Sequence, residues 1–174
     1  MTVRIEKPSF NLRSKLNDLD YGVVPLEKMP AGSIIQYNYD TGVGQHFTTT
    51  NGGWTDLNWS VSISPRFDNS LILVELSAIG QAPNTTIGVS AVTIYRNGTT
   101  NIGDTSNANF GLSVVGDLQE TGYVTSPQTF FVFDKPNTTS NTTYNLYGRT
   151  SNSGTAYCVH SGVTRTLSVK EIKQ

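Results

Sequence analysis

Two kinds of hydrophobic spacing divide the chain. Leu12, Leu16 and Leu19 recur every third or fourth residue, so they fall on one face of a helix. From Gly32 onward, apolar and polar residues alternate with period 2 in several segments, as in Leu57-Trp59-Val61-Ile63. The pattern predicts one short helix over about 11–20, followed by a chain of β-strands.

Turn-forming sequences separate the predicted strands at short intervals. Examples are "NGGW", "RNGTT" and "DKPNTTSNTT", which are rich in Gly, Asn and Pro. Asn97-Gly98 suits a type I′ turn that pairs residues 90–96 with the segment from Thr99. We therefore predict an all-β fold, an antiparallel β-sandwich or jelly roll with a short N-terminal helical arm, with a simple barrel as the alternative.

Charged residues mark a boundary near Pro30. Residues 1–30 hold 9 of the 25 charged side chains. Pro25 and Pro30 favour extended backbone between the helix and the first strand. The prediction is an N-terminal docking arm over 1–30, made of the helix and an extended strap, and a β-sandwich domain over 31–174.

Composition excludes several classes of function. The net charge is −1 and 14% of residues are charged, so no broad positive field exists to attract nucleic acid or an anionic membrane. No stretch approaches the roughly 20 apolar residues that a membrane span needs, and the first residues lack a signal-sequence pattern. We expect no membrane insertion, synthesis in a cytoplasm, and no internal disulfide, because Cys158 is the single cysteine.

Catalytic and metal-binding patterns are missing. His46, His160 and Cys158 do not have the spacing of a zinc site, and no Gly-x-Ser-x-Gly nucleophile sequence occurs. Cys158 and His160 share a strand face, but no third member of a catalytic triad can be identified. The expectation is a protein that is not an enzyme and that has no catalytic residues, metal or cofactor.

The sequence "NGGWTDLNW" is a candidate contact site. Trp59 alternates with core positions, but Trp54 follows two glycines in a predicted turn. An exposed indole beside Asp56 and Asn58 is suited to a sugar or to a partner chain. Tyr123, in another predicted outer turn, is a further candidate contact.

Five stretches carry a family resemblance: "NLRSKLNDL", "PLEKMPAGSIIQ", "SISPRFDNSLILVELS", "DKPNTTSNTTYNLYGRTS" and "TRTLSVKEI". They resemble virion-associated β-domain proteins of tailed phages that infect aquatic bacteria, especially cyanobacteria. Such proteins form head fibres, tail fibres or capsid decorations. The resemblance implies a non-enzymatic homotrimer on the virion surface.

The resemblance suggests that the arm is a docking device. Its leucine face would bury against the major capsid protein, another virion protein or sister arms, although it could instead fold back over its own sandwich. The leading hypothesis is a capsid decoration or head fibre, and the alternative is a receptor-binding tail-fibre tip that contacts host surface polysaccharide. The predicted anchoring residues are Leu12, Leu16, Leu19, Tyr21, Pro25, Met29 and Pro30.

Overall fold

A computed structural model of the chain describes residues 24–42, 47–50, 52–82, 88–103, 111–117, 124–150, 155–162 and 164–174. A 3₁₀ turn at Leu26–Lys28 comes first. The strands that follow are β1 (Ile34–Gly42), β2 (Phe47–Thr49), β3 (Thr55–Ile63), β4 (Leu71–Gln81), β5 (Gly88–Arg96), β6 (Thr100–Asn101), β7 (Ser113–Asp117), β8 (Thr125–Asp134), β9 (Thr142–Thr150), β10 (Ala156–Val159) and β11 (Arg165–Ile172).

Sheet A has the order β1-β11-β4-β8, and every neighbouring pair is antiparallel. Strands β10 and β11 both lie along the same side of β4, β10 opposite Gln81 and β11 opposite residues 71–77. Strands β1 and β2 lie along β11 and β10 in the same way. Sheet A is therefore four strands wide. Two of the four positions are each filled by two strands in line, β1 with β2 and β11 with β10, and the other two are filled by β4 and β8.

Sheet B has the order β3-β9-β5, and β7 and β6 complete it along the far side of β5. The chain passes from one sheet to the other between β2 and β3, β3 and β4, β4 and β5, β7 and β8, β8 and β9, and β9 and β10. This winding is that of a jelly roll. The predicted all-β, antiparallel sandwich is confirmed, whereas the predicted helix over 11–20 lies outside the described residues.

The core lies between the two sheets because alternate residues of each strand point inward. In β3 these residues are Leu57, Trp59, Val61 and Ile63, all buried. Trp59 is only 4% exposed, and its indole nitrogen donates to Asp40 Oδ2 at 2.8 Å. The expectation that Trp59 belongs to the core is confirmed.

The hairpin predicted at "RNGTT" is present between β5 and β6. Asn97 and Gly98 have positive φ values of 51° and 68°, as the Asn-Gly pair predicted. The pair that closes the hairpin is Arg96 with Thr100, so the loop contains three residues, 97–99, which is one more than predicted.

Candidate functional site

We use the name strap for residues 24–33, which precede β1. Lys173 attaches this strap to the end of β11. The Lys173 ammonium donates to three strap carbonyls, those of Leu26 at 2.9 Å, Glu27 at 2.7 Å and Met29 at 2.7 Å. Hydrogen bonds from a charged donor are stronger than neutral ones. We call this arrangement the Lys173 clamp.

The backbone extends the same attachment. The amide of Gly32 donates to the Lys173 carbonyl at 2.8 Å, and the amide of Lys173 donates to the Ser33 carbonyl at 2.9 Å. These bonds continue the antiparallel ladder in which β1 pairs with β11 from Ile34 to Gly42. The strap consequently has a fixed position at one end of sheet A.

The same end of β11 holds the loop between β3 and β4. Glu171 is buried, and its Oε1 accepts hydrogen bonds from the amides of Arg66 at 2.7 Å and Phe67 at 3.2 Å and from the Ser70 hydroxyl at 2.6 Å. The Lys173 ammonium also lies 5.6 Å from the centre of the Phe67 ring. Glu171 near the end of β11 thus holds the loop, and Lys173, directly after the strand, holds the strap.

Three of the seven predicted anchoring residues lie in the described part of the chain. Pro25 and Met29 are partly buried and flank the 3₁₀ turn, and Pro30 is exposed. Leu12, Leu16, Leu19 and Tyr21 lie outside the described residues. The anchoring role of all seven stays a prediction, and Lys173, which fixes the strap, was not among them.

The outer face of sheet A carries exposed aromatic side chains on both of its edge strands. Tyr37 and Tyr39 project from β1, with ring centres 5.3 Å apart, and Phe131 and Phe133 project from β8. Each is at least half exposed. Sequence analysis did not single out these residues, and in β8 the inward residues Phe130 and Val132 are apolar as well, so alternation does not separate its two faces.

Strand register arranges this outer face in rows across the sheet. One row contains, from edge to edge, Tyr39, Ser168, Glu75 and Phe131. The row beside it contains Tyr37, Lys170, Leu73 and Phe133. On the other side lies a row of hydroxyl groups, from Thr41, Thr166, Ser77 and Thr129.

An open groove of about 610 Å³ lies against this face. Outward residues of β11, β4 and β8 line part of it, and Leu76, Phe130 and Leu112, which belong to the core or pack against it, line the rest. A salt bridge of 2.5 Å joins Lys170 and Glu75 at the middle of the face, and the Lys170 ammonium lies 5.7 Å from the centre of the Tyr37 ring. The volume is in the range of small-molecule binding sites.

The predicted contact site at Trp54 has a different character. The Trp54 ring is partly buried, with the guanidinium of Arg149 5.7 Å from its centre, and its buried indole nitrogen has no acceptor among the described residues. Asp56 accepts a 2.8 Å bond from the amide of Asn58, which is exposed and has a φ of 56°. Contact through Trp54, Asp56 and Asn58 stays a prediction, and Tyr123 lies outside the described residues.

Cys158 and His160 point into different surroundings. Cys158 is fully buried, receives a 3.6 Å hydrogen bond from the Ser90 hydroxyl, and has a pKa that burial raises to about 11. His160 is partly buried, and its Nδ1 lies 2.6 Å from the Ser161 carbonyl oxygen. Within the described ranges, no three side chains of His, Cys, Asp or Glu are grouped closely enough to share a metal ion.

Comparisons with known proteins give little further information. No protein-family model matches the chain, and no curated protein matches it. Among solved structures, the chain is similar to the infectious bursal disease virus VP2 subviral particle, at 14% identity and a TM-score of 0.42 over 87% of this chain. The chain spans 37% of the length of that VP2 chain, and a likeness this weak says nothing about function.

No helix in the described part of the chain is long and apolar enough to cross a membrane.

Proposed function

We propose that the chain is a non-enzymatic structural protein of a phage virion surface. In this proposal it is made in the host cytoplasm and assembles as a homotrimer that decorates the head or forms a head fibre. The observation that supports it best is the Lys173 clamp, which fixes the point where residues 1–23 join the β-domain. The family resemblance of the strap sequence supports the same proposal.

A fixed strap is what an anchored domain requires. A tether that joins a domain through a loose linker leaves the domain free to rotate, whereas a clamped one sets its direction. Here three charged hydrogen bonds and the β1–β11 ladder hold the strap to the sandwich. An anchor in residues 1–23 would therefore orient sheet A relative to the particle.

The leucine face of the arm needs a surface to pack against. A helix of about ten residues is not stable alone in water, so the leucine face over 12–19 requires a surface to cover it. The major capsid protein and the two sister arms of a trimer are the surfaces that we propose. A closed three-fold would also add buried area to a domain that has no disulfide.

A receptor-binding role at a tail-fibre tip is the second candidate. The observation that favours it is the open groove on the outer face of sheet A, which would give a virion protein a surface for contact outside the particle.

Particle binding tests the leading proposal. Purified full-length protein and a Leu16→Asp variant would be incubated separately with phage heads and phage tails, and bound protein would be measured after sedimentation. We expect the native protein to bind heads and the Leu16→Asp variant to lose that binding, because a charge in the leucine face opposes its burial. Asn17→Asp is the matched control, since it adds the same charge beside that face and should still bind.

Light scattering on the same samples measures the mass. A trimer is expected, and a monomer at every concentration would contradict the proposed assembly. Undiminished head binding by Leu16→Asp would contradict anchoring by the leucine face. Binding of the native protein to tails alone would favour the tail-fibre alternative.

A further inference from the structure

The outer face of sheet A has the reverse composition of an ordinary protein interface. A protein interface usually has an apolar centre from which charged groups are depleted and a polar rim. Here the charged pair Lys170 and Glu75 lies at the centre, and the aromatic side chains lie on the two edge strands. This distribution disfavours a second protein sheet as the ligand, because such a ligand would bury the ion pair.

The centre of the face offers many hydrogen-bonding groups in a small area. Beside the ion pair lie the hydroxyl groups of Ser77, Thr129 and Thr166, which are exposed or partly exposed and line the groove. Hydroxyl groups both donate and accept, and the Glu75 carboxylate accepts. A ligand rich in hydroxyl groups could therefore form several hydrogen bonds with these side chains.

The edges offer flat apolar surfaces to the same ligand. Phe131 is 68% exposed and Tyr39 is 56% exposed, so both rings are open to solvent. They occupy the two ends of one row and are separated by three strand spacings, or about 14 Å. One ligand could touch both rings only if it were extended across the strands.

The charge of the face further restricts the chemical class of the ligand. Lys170 and Glu75 neutralise each other across 2.5 Å, so the lined face presents no excess of either sign. A strongly anionic or cationic polymer would find no counter-charge there. The remaining chemical class is a neutral, extended, hydroxyl-rich chain with apolar ring faces.

We infer that the outer face of sheet A is a binding groove for a neutral polysaccharide. Its sugar rings stack on Phe131 and Tyr39 at the two edges, and its hydroxyl groups bond to Glu75 and the neighbouring Ser and Thr side chains. This inference does not rest on attachment of the chain to a virion.

Affinity electrophoresis of the full-length protein tests the groove. Native gels would contain dextran, oat β-glucan or galactomannan as neutral probes, or alginate as an anionic probe. We expect at least one neutral polysaccharide to retard the native protein. Phe131→Ala and Tyr39→Ala should each weaken that retardation by about tenfold in apparent Kd, as the loss of a contact anchor does.

The matched control is Tyr147→Ala, which removes a tyrosine from the outer face of sheet B. It should keep the native retardation, and urea unfolding would verify that all three variants are folded. No retardation by any neutral probe, retardation by alginate alone, or retardation unchanged in Phe131→Ala and Tyr39→Ala would each overturn the inference. Light scattering adds one further refutation: if Phe131→Ala dissociates an oligomer, the face is a contact between copies of the chain.

Discussion

Replacing Lys173 by Met removes the clamp while keeping most of its length and its apolar stem. The substitution eliminates three charged hydrogen bonds to strap carbonyls. Such bonds contribute roughly 1.5 to 3 kcal/mol each when buried, but Lys173 is partly exposed and the bonds share one donor group. We expect the strap to open more easily by about 2 kcal/mol in total, or about 30-fold in its opening equilibrium.

Amide hydrogen exchange measures that opening directly. The amide of Met29 bonds to the Leu26 carbonyl inside the 3₁₀ turn, and the amide of Gly32 bonds to the Lys173 carbonyl. Both amides should lose about 30-fold in protection in Lys173→Met, because the strap opens locally while the rest of the domain stays folded. Amides in the centre of β4 should keep their protection.

Lys170→Met is the control for loss of a lysine near the same end of β11. It removes a partly exposed ion pair with Glu75 that contributes at most about 1 kcal/mol, and it makes no contact with the strap carbonyls. If Lys173→Met changed the protection of Met29 and Gly32 by less than threefold, or no more than Lys170→Met does, the clamp would not be what holds the strap.

Three other predictions concern two buried groups, Glu171 and Cys158. Glu171→Ala should lower the free energy of unfolding by about 3 kcal/mol, because it leaves the three donors of the β3–β4 loop unpaired. Glu171→Gln should lower it by about 1 kcal/mol, because Gln keeps an oxygen for these donors. Equal stability of the two variants in urea would contradict this. Cys158 should resist thiol reagents until the chain unfolds, and labelling at equal rates with and without urea would refute its burial. Because burial raises the pKa of Cys158 from 9.0 to about 11, its contribution to stability is present below pH 9 and is lost as the pH rises to about 11, a loss that should be absent in Cys158→Ala.

Local patterns predicted the parts of the fold that local interactions determine. The period of β3 placed Trp59 in the core, and the Asn-Gly pair placed the turn after β5, because strand alternation and positive φ depend on near neighbours. The loop still differed by one residue from the prediction, since cross-strand pairing and not the turn residues alone decides where a ladder resumes.

The candidate sites were harder to predict because they depend on which strands become neighbours. In "TFFVF" every second side chain faces the core and the others face solvent, but all except the threonine are apolar, so periodicity cannot separate Phe131 from Phe130. The Lys173 clamp could not be predicted from the sequence because it depends on long-range strand pairing. Lys173 and Leu26 are 147 residues apart, and only the pairing of β1 with β11 brings them together.

The pairing of β1 with β11 also determines when the domain can be completed during synthesis. Strand β1 lies at the edge of sheet A and its ladder partner is β11, which the ribosome makes about 130 residues later. Until then β1 and the strap have no ladder to join, while β4, β8 and most of sheet B are already available. Contacts this distant in sequence slow folding. Attachment of the strap to sheet A is consequently among the last steps of folding, because the strap is held only once β11 and Lys173 have been made.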